Sequence, residues 1–176
     1  MQNETLKVIR ARRSTRSYLG DKISDEELGA ILEAGLWAPT ARNEQEISVA
    51  VVRGGEVMAA FKEDFRKNNQ RGARFDNFDY SAPVFLFLYG PRDFPYTEMD
   101  SGIVAENMAL AAESIGLGSV LIGCIRDFMR SDAAQSWRER FGMTQDDIFT
   151  VGVAIGRKAK ETAERPRKEN RIKFIN

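Results

Sequence analysis

Asp100-Ser101-Gly102-Ile103-Val104-Ala105-Glu106-Asn107-Met108-Ala109-Leu110-Ala111-Ala112-Glu113-Ser114-Ile115 is the stretch on which the fold turns. Val104, Met108, Ala111 and Ile115 recur at helical spacing and make one apolar face. Ala105, Ala109 and Ala112 are small enough to let a neighbouring element approach closely. Gly116 stands where a helix closes with a left-handed residue. Ser119 to Ile122 then reads as a strand, ended by Gly123. A long, tightly packing helix running directly into a strand makes this the centre of the molecule.

Other elements fall on both sides of it. Thr5 to Ala11 reads as a short helix. Ser24-Asp25-Glu26-Glu27 is a capping box that opens a helix through Leu28, Ile31, Leu32, Gly35 and Leu36, ended by Pro39. Ser48 to Arg53 is a Val-rich strand closed by Gly54-Gly55. Val57, Phe61 and Phe65 mark a helix over Val57 to Lys67. Val84 to Tyr89 is a continuous apolar run, the pattern of a strand buried on both faces. Asp132 to Phe141 reads as a helix and Phe149 to Ile155 as a strand. Ile172 and Phe174 alternate with polar residues, which predicts one more strand at the end of a basic arm. Such an arm suits sheet addition, to its own domain or to a partner. Helices and strands do not alternate regularly, so the class is α+β.

Composition narrows the chemistry. The chain has 176 residues, the size of one ordinary domain. Lys and Arg number 26 and Asp and Glu 26, so formal net charge is zero and a nucleic-acid partner is not expected. No apolar run approaches the roughly 20 residues of a membrane helix, and Met1-Gln2-Asn3-Glu4 shows no signal segment. Cys124 stands alone and cannot form an internal disulfide; a reducing cytoplasm is the expected location. There is no histidine, which excludes Ser-His-Asp and Cys-His catalysis and every His-based metal site. Carboxylates or a bound cofactor must carry any reaction.

Within this neutral chain Arg12-Arg13-Ser14-Thr15-Arg16 is a dense local basic cluster. Guanidinium forks suit phosphate, and one small anionic ligand fits the cluster better than a polyanion. A solvated helix end is the plainer alternative. Thr40 to Gln45 forms a polar loop, and Arg165 and Arg167 lie on the terminal arm; these are the other places where polar donors gather. Asn68 to Asp79, with two Arg and three Asn, is a loop suited to lie over a site. Gly116-Leu117-Gly118 follows a helix, so it reads as a helix stop and not a dinucleotide fingerprint. Glu106, Asn107 and Glu113 read as a satisfied polar face of the central helix. Trp37 and Trp137 read as core or interface residues.

These segments together resemble the nitroreductase family of small FMN-dependent flavoproteins. Arg12 to Arg16 is similar to its N-terminal Arg-Arg-Ser-x-Arg signature. Ala38-Pro39-Thr40-Ala41-Arg42-Asn43-Glu44-Gln45 is similar to its Ala-Pro-Ser-x-x-Asn-x-Gln loop. Asp100 to Gly123 resembles its central helix and following strand, and Val151 to Gly156 with Arg165-Pro166-Arg167 resembles its C-terminal end. The matches follow in order along nearly the whole chain.

The resemblance implies one domain over residues 1–176, an α+β sandwich whose central, mostly antiparallel sheet is flanked by helices. It implies an intertwined homodimer with FMN at the interface, the arm from about 157 to 176 extending onto the partner subunit. By position, Arg12, Arg13 and Ser14 would hold the phosphate and ribityl side, and Arg16 would lie near flavin N1 and the C2 carbonyl. Pro39, Thr40 and Asn43 would reach the flavin of the other protomer. Arg74 and Asn77 match a variable polar pair at the pyrimidine edge. The backbone of Ile122 and Gly123 would face N5, and Arg165 and Arg167 would close over the phosphate. The implied activity is transfer of hydride from NADH or NADPH, through flavin, to a small electron acceptor such as a nitroaromatic or quinone, with ping-pong kinetics and no catalytic side chain. Relatives of the same family with another task, dehalogenation or flavin fragmentation, are one alternative; a non-enzymatic module that binds an anionic ligand is another. The family loop continues Gln-Pro-Trp where this chain has Gln45-Glu46-Ile47, which changes the packing behind the loop.

Overall fold

The computed structural model describes residues 2–69 and 72–175. Helix α1 spans Glu4–Ala11, its N-terminus closed by Asn3, whose side chain accepts from the Leu6 N–H at 2.9 Å. Helix α2 spans Asp25–Leu36 and opens on the expected capping box, with Ser24 and Glu27 each bonding the other's backbone N–H. Strand β1 (Ser48–Arg53), helix α3 (Gly55–Asn68) and strand β2 (Val84–Pro91) follow. Helix α4 is Thr97–Ser114, strand β3 is Leu117–Ile122, helices α5 and α6 are Arg126–Met129 and Gln135–Arg140, and strand β4 is Asp147–Arg157.

The four strands form one antiparallel sheet in the order β1-β2-β4-β3. Successive side chains of a strand point to opposite faces, and both faces of β2 are covered, which is why its sequence is apolar without interruption. Phe85 and Phe87 join a cluster with Phe61, Phe65, Phe78, Phe128, Trp137 and Phe141, supplied by α3, α5, α6 and the loop before β2. Val84, Leu86 and Leu88 face the other way, onto Leu28 and Ile31 of α2 and Val104, Ala105 and Met108 of α4. The two layers bracket the sheet as the α+β reading expects.

Differences from the sequence reading have local causes. Helix α4 starts three residues before Asp100, because Thr97 Oγ1 bonds the Pro91 carbonyl at 2.7 Å and anchors an earlier first turn. The Asp132 to Phe141 segment is a short 3-10 turn, Asp132–Ala134, followed by α6. Strand β3 begins at Leu117, inside the stretch read as a helix stop; only Gly116, at φ 82°, has the left-handed backbone of a stop. Gly118 has a separate reason to be glycine: a Cβ there would overlap the Thr15 side chain. The strand expected at Ile172 to Ile175 does not form within the single chain. Ile172, Phe174 and Ile175 are exposed, Phe174 to 87%, because no strand edge of the same chain receives them. Trp137 is core, but Trp37 is 79% exposed.

Candidate flavin site

The segment after α1 is the best-fixed loop of the molecule. Ser14 pairs in parallel with Ser119 of β3, and the Thr15 N–H donates to the Ser119 carbonyl at 2.9 Å. Thr15 is buried against Gly118. Tyr18 donates its hydroxyl toward the Thr15 and Ala154 carbonyls at 3.0 and 3.1 Å. Burial pushes the Tyr18 phenol well above its ordinary pKa, so it stays a donor. The Leu19 N–H bonds the Arg157 carbonyl and the Ala159 N–H bonds that of Ser17, both near 3 Å. The arm that leaves α1 and the arm that leaves β4 therefore run side by side along the β3 edge of the sheet.

This staple sets the basic side chains. Arg12 Nε lies 3.1 Å from Glu106 Oε1 of α4. Arg13 donates to the carbonyls of Arg10 and Arg12, and its Nη2 stands 3.6 Å from Glu164. Arg16 Nη1 donates to the Ser14 carbonyl at 3.3 Å. Arg165 and Arg167 follow Glu164 directly and are exposed. Two atoms here are buried and without a hydrogen-bond partner among the described residues: Arg12 Nε, whose approach to Glu106 is off hydrogen-bond geometry, and Ser119 Oγ. Buried polar atoms are normally bonded, so a hydroxyl left over beside three arginines fits a phosphorylated, polar ligand.

Strand β3 carries the site onward. Gly123 lies four positions after Ser119, about 13 Å along the strand direction. Ile122 is buried, whereas Gly123 is exposed and a side chain there would meet open space. Asn77 and Arg74 lie in the segment before β2. Asn77 accepts from Lys62 at 3.0 Å, and the Arg74 guanidinium stacks on Phe75. Asp79 of the same segment also pairs with Lys62 of α3, at 2.8 Å.

Pro39, Thr40 and Asn43 sit at the other end of α4. The Ala41 N–H donates to Asp100 Oδ2 at 2.8 Å, which ties their loop to the first turns of that helix. Thr40 Oγ1 accepts from the Gln45 N–H at 3.0 Å. Arg42, Asn43 and Gln45 all have φ between 52° and 57°. Asn tolerates this region; the other two are strained, and such strain gathers at functional sites. Asp100 and Glu106 are six residues apart, about 9 Å along the helix axis, so α4 holds the two flavin-signature segments at separate points.

The expected polar face of α4 is satisfied: Glu106 meets Arg12, Glu113 meets Lys158 at 2.8 Å, and Asn107 donates to the Ala34 carbonyl at 3.1 Å. Sequence reasoning gave no role to Tyr18, Asp100 or Ser119. For Asp100 a signal exists, an acid in the first turns of the long helix that packs at the centre of the molecule. A cavity of about 760 Å³ opens elsewhere, between α3 and the ends of β1 and β2, lined by Arg53, Met58, Lys62, Asp79 and Val84. Lys62, the partner of Asn77, lines it, whereas Arg12, Arg13, Arg16, Arg165 and Arg167 do not. Among the described residues there is no cluster of three or more metal-ligating side chains, and no helix is long and apolar enough to cross a membrane.

The architecture and the order of these segments recur in known proteins. An NADPH-flavin oxidoreductase of Vibrio harveyi is 30% identical over 94% of this chain and 70% of its own length. An FMN reductase of Bacillus subtilis is 29% identical over the same shares. A solved nitroreductase of Desulfitobacterium hafniense, with bound FMN, superposes at a TM-score of 0.88 over all of both chains with 26% identity. The profile of the nitroreductase family matches residues 9–157, from inside α1 to the end of β4, and the chain belongs to that family.

Proposed function

We propose that this chain is an FMN-dependent NAD(P)H oxidoreductase, one flavin-binding domain per protomer of a cytoplasmic homodimer. The observation that carries the reading is the convergence of both chain ends on the β3 edge, with Ser119 Oγ buried there and without a hydrogen-bond partner among the described residues. When bound, flavin supplies the redox chemistry: it accepts hydride at N5 from NADH or NADPH and yields it to a nitroaromatic, quinone or similar small acceptor in ping-pong order. Arg12, Arg13 and Ser14 hold the phosphate and ribityl side, with Arg165 and Arg167 folding over the phosphate from the adjacent arm. Arg16 places a permanent cation near N1 and the C2 carbonyl, where a fixed charge in a site poor in water is most effective. The open backbone at Gly123, with Ile122 packed behind it, lets a flat ring approach N5 to a main-chain N–H. Arg74 and Asn77 flank the pyrimidine edge. No side chain is assigned as an acid or base.

A second copy completes the site. Pro39, Thr40 and Asn43 are held at the far point of α4 and serve the flavin of the other protomer. Leu36 and Trp37, at the start of that loop, are exposed apolar residues that a partner would cover. Among the described residues β1 pairs only with β2, leaving its outer edge unpaired, and the exposed Ile172-Lys173-Phe174-Ile175 end of the partner is suited to pair with it.

The test is direct. Protein purified as made should be yellow or take up FMN with a flavin absorption spectrum, and should oxidise NADH or NADPH in the absence of oxygen when an acceptor from a nitroaromatic and quinone panel is added. Colourless protein that binds no added FMN would remove the reading.

A further inference from the structure

The loop that carries Pro39, Thr40 and Asn43 ends in Glu46, where the family signature has proline. Its carboxyl is turned inward. Both Glu46 carboxyl oxygens are inaccessible and, apart from the pull of the residue's own backbone N–H, without a partner among the described residues, and so is Oδ1 of the fully buried Asp100. The two groups lie within hydrogen-bond reach of each other. The Glu46 backbone packs on Gly90 of β2, next to Thr97 of α4. As carboxylates both groups are acceptors only, and neither can satisfy the other. The missing partner is a proton.

We propose that Glu46 is protonated in the folded protein and donates to Asp100 Oδ1, latching the flavin-facing loop to α4. Asp100 is the accepting member, because its Oδ2 already accepts the Ala41 N–H and it sits near a helix N-terminus, where an acceptor is favoured. The latch then grips the loop at both ends: Ala41 N–H to Asp100, and Asp100 to Glu46 O–H. Burial holds the Glu46 carboxyl above the usual carboxylate range, and the Asp100 charge adds to this. The charges acting on Glu46 are those of Asp100 and Glu44, both negative; the contacts from β2 and α4 beside it, Gly90 and Thr97, carry none. Two like charges confined together cannot both persist, so loss of the proton forces the loop off α4. Glu46 is a positioning residue. That the loop touches flavin rests on the function proposed above; the shared proton does not.

The sign of the pH effect follows from linkage. A carboxyl whose folded-state pKa is raised stabilises the fold fully below its unfolded value and loses that contribution as pH rises through the folded one. Infrared spectra of the protein as purified should contain the carbonyl stretch of a protonated carboxylic acid at neutral pH. It should be lost in Glu46→Gln, which keeps a side-chain N–H donor toward Asp100, and lost in the wild type on raising the pH. The wild-type melting temperature should fall relative to Glu46→Gln over the same interval. Absence of the band, or parallel melting curves for the two proteins, overturns the proposal. The visible circular dichroism of bound flavin is the separate readout: a band that titrates with no change in flavin signal supports the latch and counts against placing this loop at the flavin.

Discussion

Arg13 and Glu164 stand 3.6 Å apart, so the arm leaving α1 and the arm leaving β4 touch at their tips. Glu164 is 74% exposed, and such a pair contributes little to stability. Its significance is positional, because it brings Arg165 and Arg167 beside the cluster at Arg12 to Arg16. The carboxylate occupies a guanidinium that a phosphate would use. Glu164→Gln should leave the melting temperature unchanged and leave FMN affinity equal or higher. Titration of apoprotein with FMN checks this, and a weaker Glu164→Gln would mean that the carboxylate orders the arm.

Arg12 is held in a largely buried setting by its ion pair with Glu106, 3.1 Å from Nε. A charge-assisted hydrogen bond contributes at least about 1.5 kcal/mol, so Arg12→Ala should raise the FMN dissociation constant about tenfold or more. An unchanged constant would take Arg12 out of the site.

Gly116 and Gly118 are predicted to fail differently. Gly116→Ala strains a backbone at φ 82° and meets no neighbour, a cost of about 1 kcal/mol, so it should lower the melting temperature and spare FMN binding. Gly118→Ala drives a methyl into Thr15. It should cost about 1–3 kcal/mol and also weaken FMN binding, because Thr15 fixes the arginine arm. Parallel melting and FMN titrations of the two variants separate these outcomes.

Much of this arrangement could be read from local pattern. The Ser24 capping box, the Val-rich run at Ser48 and the uninterrupted run from Val84 report interactions within a few residues of themselves, and all three appear as expected. The same is true of Gly116. What the sequence left open depends on distant contacts. Leu117 and Gly118 continue a strand because β4 lies alongside, with Gly118 opposite Gly156. Asp100 looks like a solvated first-turn acid until Ala41 is seen to donate to it. Ile172 and Phe174 alternate as a strand does, yet a strand needs a free edge, and the edge proposed for it belongs to another copy of the chain.

The aromatic face of the sheet should be intolerant of truncation. Phe61 is fully buried and packs edge-on against Phe78, Phe87, Phe128 and Trp137 with centroids between 5.2 and 5.9 Å. Phe61→Ala should cost about 3–5 kcal/mol, read by denaturant unfolding, whereas Phe61→Leu should recover part of the loss.

Glu27 governs stability at acid pH. Its carboxylate accepts the Ser24 N–H at 2.9 Å and two bonds from Arg157 at 3.0 and 3.1 Å. The backbone hydrogen bond chiefly, with Arg157 behind it, holds its pKa below the ordinary carboxylate value. A group depressed in this way stabilises the fold above its unfolded pKa of about 4.3 and loses that contribution as pH falls through the folded value. Melting curves of wild type and Glu27→Gln should therefore be separated at neutral pH and converge on acidification. Curves that stay separated would assign the effect to the shape of the cap and not to its charge.

The exposed terminal segment gives the sharpest test of assembly. Ile172, Phe174 and Ile175 place three large apolar side chains in solvent within four residues, a surface that soluble chains bury against something. β1 offers an unpaired edge, and Val51 on that strand is partly exposed. Phe174→Asp, or removal of residues 171–176, should leave the four-stranded core folded, since none of its contacts involves them. If the proposed dimer forms through this segment, both changes should shift the protein toward monomer in light scattering and weaken FMN binding in step, because Thr40 and Asn43 are proposed to reach the flavin of the other protomer. A truncated protein that remains a dimer would place the interface on Leu36, Trp37 and α4 alone. A monomer that still binds FMN with wild-type affinity would mean that one protomer holds the whole site.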